Sequence, residues 1–587
     1  RLAITLPGPG MEAGPVRFSG PVTDASLERM RPTPDGMAEA IAQLKNRGFE
    51  ITGTGQFSIT ARCTRKLYEK TFGTELARHK LPFREGERVQ ANAFYFPPQD
   101  APWAPDDDLM SVIDDAYIQW PHIYLNSIFP GSTSAVPPTV GYHHLRVPGD
   151  VTLLLGADGV HRGGITGKGI RVAMIDSGFA LGHAYFQSRG YRTDVILAPG
   201  ATDVDQDGNG HGTAECANLL AMAPDVDFMG VKLDNEAFPA EGATILEGLQ
   251  SAMAHNPQVI SISLGHDMCP TDRDGRRTSN QHLSTLPNSL KALEAEIKAI
   301  TASGVIIVFS AGNGHVAFPG MMPDVISAGG VYVDQPGAMR ASDYASAFTS
   351  KIYPGRDVPD ACGLVGLANN NAQYIMLPVE PGCEIDRQTG DGTAKNDGWA
   401  VISGTSAAAP QMAGAIALLL QKNPGLSIAD IKSVFDQTSR DVVDGKASAA
   451  SNANAGGLAA GPGRDPATGA GLINVEEAIK LVERRSSVYL WGQTGRGSKG
   501  KVRFERQATT LRQLALTWRF SATPCLDKTT YRGCNCLPLR EKVDGSTAYC
   551  LICLQDIGDF LLYCHQFDDC IGFRARRDVT TIDKIFL

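Results

Sequence analysis

GITGKGIRVAMIDSGF, residues 164–179, opens on a glycine-rich turn, runs almost wholly apolar from Ile170 to Ile175, and stops on Asp176, Ser177 and Gly178. A strand-length apolar run that does not alternate with polar residues belongs to a strand covered on both faces. Runs of the same character recur as VDFMGVKL (226–233), VISISLG (259–265), GVIIVFSAG (304–312) and DVISAGGVYV (324–333). Helical patterns lie between them: HGTAECANLLAMA (211–223), ATILEGLQSAMAHN (243–256) and LPNSLKALEAEIKAITAS (286–303). This alternation predicts an α/β fold, a mostly parallel sheet flanked by helices, over 151–485. In such sheets the functional site opens beyond the carboxyl ends of the strands.

Four polar residues fall at strand ends or helix starts. A hydroxyl nucleophile needs a base within hydrogen-bond reach, and the base needs a third group to orient it. Asp176 closes the first strand, and His211 in DGNGHGTAE (207–215) begins a helix among glycines that permit close backbone approach. Ser406 in ISGTSAAAP (402–410) begins the helix SAAAPQMAGAIALLLQKN (406–423), whose amino-terminal amides favour negative charge beside the serine. Pro410 is expected in the first turn of that helix, where N–H groups are unpaired in any case. Asn313 in VFSAGNGH (308–315) adds a side-chain amide, the kind of donor that holds a developing oxyanion. Singly, each of the four reads as a cap or turn residue; jointly they read as a catalytic set.

Four blocks carrying these residues, GITGKGIRVAMIDSGF, GHGTAECANLLAMAPDVDFMGVKL, VIIVFSAGNG and GTSAAAPQMAGAIALLL, resemble in order and content those of the subtilisin-like serine peptidases, the subtilase family. VISISLG, FPGMMPDVISAGGV and GAGLINVEEAI support the resemblance, which covers about 145–485. It implies a serine endopeptidase with Asp176, His211 and Ser406 as the triad and Asn313 in the oxyanion hole. By the same resemblance Ser263, Leu264 and Gly265 line one side of the cleft and Ala311 and Gly312 the other, pairing with a protein or peptide substrate as added strands. No cofactor is implied for the catalysis. The rival is a silent protease fold serving as a binding platform.

Upstream, GMAEAIAQLKNR (36–47), FEITGTGQFSITA (49–61) and TRKLYEKTFG (64–73) read as helix, two strands and helix, the middle of a ferredoxin-like α+β unit. The stretch resembles subtilase and sedolisin activation peptides, so residues 1–100 are expected to be a pro-region that assists folding and blocks the cleft. Residues 101–150, rich in Pro and Asp, read as a linker or wrapping arm. Residues 486–587 form a separate β-leaning, Cys-rich module that can recruit a protein partner. There Cys534, Cys536, Cys550, Cys553, Cys564, His565 and Cys570 offer ligands for a structural Zn²⁺, although the first pair is CxC and disulfides or free thiols suit the spacing as well.

Asp203, Asp205, Asp207 and Gly208 resemble half of a Ca²⁺ loop, but Ala214 stands where a bidentate Glu is needed. An acidic surface turn is the plainer reading. Of 587 residues 43% are apolar and 20% charged, with a net charge of -9, ordinary globular usage that gives no broad nucleic-acid surface. The basic stretch 484–506 reads as a solvated connector, and no apolar run is long enough for a membrane-spanning helix. The chain opens at Arg1 without a leader, so any secretory signal is expected to be trimmed or absent. Cys216, in an apolar helix, is expected to be a buried free thiol, which leans to a reducing, cytoplasmic setting. The Ala/Gly-rich stretch 447–463 reads as a flexible surface insertion, and 266–282 as a loop beside the cleft.

Overall fold

The computed structural model describes residues 1–8, 22, 31–81, 92–98, 103–120, 123–124 and 134–486, apart from 239–240, 273–276, 336, 369–374, 389 and 453–455; from 489 onward it describes the backbone of strands alone. The chain divides into two units, 1–421 with 427–478, and 422–426 with 479–587.

The first unit begins with β1 (Leu2–Thr5), α1 (Pro34–Asn46), β2 (Glu50–Thr54), β3 (Ser58–Arg62), α2 (Arg65–Phe72) and β4 (Asp115–Ile118). The strands make an antiparallel sheet in the order β2-β3-β1-β4, the ferredoxin-like arrangement. Local chemistry sets the helix ends. The Thr33 hydroxyl accepts the Gly36 N–H at 3.0 Å with Pro34 in the first turn, and α2 stops at Gly73 in the left-handed region. Leu44, Phe49, Ile59 and Phe72 close a small core with Ile4 of β1. Part of 101–150, read as linker, is thus the edge strand β4, and β1 is the central strand that pairs with it. Two four-residue strands held together from more than a hundred positions apart leave no local periodicity to read.

The larger core of the same unit continues with β5 (Ile123–Tyr124), β6 (Arg171–Asp176), β7 (Thr193–Leu197), α3 (His211–Met222), β8 (Asp227–Lys232), α4 (Ile245–Met253), β9 (Val259–Ile262), β10 (Leu264–Asp267), α5 (Lys291–Ala302), β11 (Ile306–Ser310), β12 (Ala317–Phe318), β13 (Ile326–Val333), β14 (Met339–Ala341), β15 (Ala361–Leu364) and α6 (Thr405–Lys422). An eight-stranded sheet runs β7-β8-β6-β9-β11-β13-β14 with β15 also on β13, all parallel except β14. Both faces are covered, which explains the continuous apolar strands. Every residue of α3, and of α6 through Leu420, is buried, so small side chains dominate both.

In the second unit six strands, Thr530–Tyr531, Cys534–Val543, Ser546–Leu554, Asp559–Gln566, Asp569–Arg576 and Asp583–Ile585, form an antiparallel meander. Among the described residues no helix is long and apolar enough to cross a membrane.

Candidate active site

Register places the site. Ile175 pairs with Ile262 and Ile262 with Phe309, so Asp176, Ser263 and Ser310 follow side by side at the carboxyl edge of β6, β9 and β11. Asp176 is fully buried, and its Oδ1 accepts the Ser177 N–H at 2.7 Å and the His211 Nδ1 proton at 2.6 Å. Gly212 makes this approach feasible: a Cβ there would run into the Gly178 carbonyl and stand 2.9 Å from the Asp176 Cβ.

Asp207 holds the turn before His211. Its Oδ1 accepts the Ser177 hydroxyl at 2.8 Å and the Gly210 N–H at 2.9 Å, and its Oδ2 accepts the Thr213 N–H at 2.9 Å and hydroxyl at 2.6 Å. This buried carboxylate caps α3, whereas Asp203 and Asp205 are exposed. The half calcium loop therefore has its third carboxylate committed to the fold. Among the described residues no three of His, Cys, Asp and Glu are grouped to hold a metal ion.

Burial pushes the His211 imidazolium down, but the charge and hydrogen bond of Asp176, with Glu215 and Asp207 behind, raise its pKa above the ordinary value. Glu215, a residue the sequence reading did not single out, is driven up to about 8 by burial, opposed by His211 and reinforced by Asp176.

Ser406 is the second residue of α6 and fully buried. Pro410 lies in the second turn rather than the first, and it lacks the N–H that would bond the Ser406 carbonyl four residues back. The Ser263 hydroxyl takes that place at 2.9 Å. Ser263, expected only as cleft lining, thus ties the Ser406 backbone to the strand edge next to Asp176. Thr405 makes the other tie: its N–H and hydroxyl donate to Asn313 Oδ1 at 2.9 and 3.1 Å, and its hydroxyl accepts the Gly312 N–H at 3.1 Å. With its oxygen so engaged, Asn313 presents its Nδ2 as a donor beside the start of α6.

A model described as "Subtilase family" matches residues 167–458. The domain spanning those residues belongs to the subtilase family. The chain is 27% identical over 329 residues to alkaline elastase YaB of Bacillus sp. (strain YaB), covering 54% of this chain and 66% of that protein. It is 25% identical to subtilisin E of Bacillus subtilis (strain 168), covering 48% and 63%, and 25% identical to subtilisin DY of Bacillus licheniformis, covering 50% and 91%. The match to the first two spans just under two thirds of their length.

Within the subtilase domain the predicted cleft strand is β10. Its Leu264 and Gly265 pair antiparallel with Tyr124 and Ile123 of β5, so a segment from upstream of the domain already adds a strand where a peptide is expected. Ala311, expected at the opposite wall, is buried, and Gly312 is tied to Thr405. Cys216 is a buried free thiol, as expected, and Cys63, Cys269, Cys362 and Cys383 are also unpaired. The side chains of Cys534, Cys536, Cys550, Cys553, Cys564, His565 and Cys570, and of the basic stretch from Arg485, lie outside the described residues.

Proposed function

We propose that the chain is a serine endopeptidase working through Asp176, His211 and Ser406, made as a zymogen whose amino-terminal unit feeds β5 into its own cleft. The observation that carries this reading is the buried 2.6 Å contact from His211 to Asp176, at the same sheet edge that Ser263 ties to Ser406. His211 Nε2 takes the Ser406 proton as Oγ attacks a peptide carbonyl. The Asn313 amide and the Ser406 N–H hold the oxyanion, and the imidazolium then protonates the leaving amine. Water attacks the acyl-serine with the same base, restoring the hydroxyl. Asp176 keeps the Nδ1–H tautomer and stabilises the imidazolium. The substrate adds to Leu264 and Gly265 as β5 does in the resting chain.

A fluorophosphonate probe combined with intact-mass measurement tests both parts. The active chain is expected to take the label and to cut itself shortly after Tyr124, and Ser406→Ala to do neither. A chain that refuses the label even after an added protease has removed the amino-terminal unit is a silent platform, and the reading fails.

A further inference from the structure

Arg277 lies in the loop 266–282 that follows the cleft strand, and its side chain is one-fifth exposed (20%). Its guanidinium grips Asp267 as a fork, Nε to Oδ2 at 2.9 Å and Nη2 to Oδ1 at 2.8 Å. The remaining nitrogen, Nη1, donates to the Gly314 carbonyl at 3.0 Å, the Ala450 carbonyl at 2.7 Å and Asn280 Oδ1 at 3.3 Å. Asp267 Oδ1 also accepts the Val316 N–H at 2.9 Å, which closes the ring. One cation thus joins β10 two residues past Gly265, the turn just after Asn313, and the Ala-rich insertion. That stretch, read from sequence as a flexible surface insertion, is buried at Ala447, Ser448 and Ser451 and presses on the turn: a Cβ on Gly314 would stand 3.2 Å from Ala450 Cβ and 3.3 Å from Ser448 Oγ. His282 Nε2 reaches the Ser451 carbonyl at 3.0 Å beside it.

We propose that Arg277 is a positioning residue for peptide hydrolysis, clamping the strand on which the peptide adds against the turn that carries Asn313, with the Ala-rich insertion as the third jaw. The inference rests on the endopeptidase reading above. A planar fork with five donors can serve these acceptors together, which the ammonium of a lysine cannot. The peptide's register on Gly265 and the approach of its carbonyl to Asn313 are then fixed by one group. A shift of about 1 Å between them costs on the order of 10²-fold in rate.

The test compares wild type with Arg277→Gln and Arg277→Lys. It uses peptides reaching four residues on the acyl side, a small activated ester that cannot pair with β10, and hydrogen exchange of 264–267 and 312–316. Arg277→Gln is expected to lose on the order of 10²-fold in kcat/KM on the long peptides and much less on the ester. Exchange in both segments should quicken together, and Arg277→Lys should restore neither. A loss as large on the ester, unchanged peptide kinetics, or unchanged exchange in either segment overturns the clamp. A wild-type chain inert to peptides and to fluorophosphonate overturns the endopeptidase reading instead, and the exchange arm still decides whether Arg277 couples the segments.

Discussion

Glu215 lies one helical turn past His211 on the same face of α3, fully buried, its Oε2 accepting from Asn218 Nδ2 at 2.9 Å. Asn218 Oδ1 in turn accepts from Gln411 on α6 at 3.2 Å. A carboxyl whose pKa rises from the usual 4.5 to about 8 on folding keeps a proton that the unfolded chain has lost. Stability is therefore fully present below about 4.5, falls as pH rises through that window, and is lowest above about 8. Glu215→Gln keeps the shape and the Asn218 contact but cannot ionise. In a Ser406→Ala background, which prevents self-digestion, its melting temperature is expected to vary less between pH 5 and 8 than that of the parent. In the active chain the variant is expected to lose an inflection of rate near pH 8, where the unmodified chain gains a further negative charge beside His211. An unchanged pH slope would assign the proton to another group. None of this could be read from HGTAECAN, where Glu215 looks like any helix charge. Asp176, His211, Asn313 and Ser406 stand out in the sequence because each sits in a short run of its own. Asp207 was misread because alternating carboxylates are a local pattern, whereas its burial depends on Ser177, thirty residues away.

At the scale of the element, α6 carries a proline in its interior without losing a partner for its backbone. Pro410 offers no N–H to the buried Ser406 carbonyl, and the Ser263 hydroxyl donates to it from the end of β9. Ser263→Ala should cost about 1 kcal/mol, the net worth of one hydrogen bond. Pro410→Ala returns an N–H to that carbonyl, so the cost of Ser263→Ala should shrink in its presence. Denaturant unfolding of the four chains of this cycle measures the coupling, and strictly additive effects would show that hydroxyl and proline act apart. The strands of the central sheet were legible because burial on both faces writes itself into consecutive residues. Ile123–Tyr124 was not, because two residues in a Pro-rich tract become a strand only when β10 offers an edge. Arg277 was hidden in the same way: in RDGRRT it looks like one solvated charge among several, and its carbonyl partners at Gly314 and Ala450 carry no signature in sequence.

At the scale of the first unit, the amino-terminal sheet is held to α4 and α5 by an apolar contact of Phe57 with Ala295 and Ala299 and by a set of polar ones. Arg1 Nη1 meets Glu247 at 3.0 Å, the Thr52 hydroxyl donates to the same carboxylate at 2.5 Å, Thr60 donates to Gln250 at 3.0 Å, and the Gln56 N–H donates to Glu296 at 3.1 Å. These bonds give orientation at modest net strength, which suits the proposed zymogen, in which the unit docks first and leaves later. Glu296 supplies a pH dependence. Burial raises its pKa, against the opposing pull of the Gln56 and Phe57 amides and the charge of Arg31. Departure of the amino-terminal unit returns it to water and toward the usual 4.5. The docked state thus holds the extra proton, so docking is favoured at low pH and weakens as pH rises through the raised value. After self-cleavage, retention of the amino-terminal fragment on the peptidase domain, read by gel filtration across this range, is expected to fall with rising pH. Glu296→Gln keeps the acceptor for Gln56 and removes the titration, so its retention should be flat over the same interval. Retention that strengthens with pH, or a slope that survives the substitution, would mean that another group controls release.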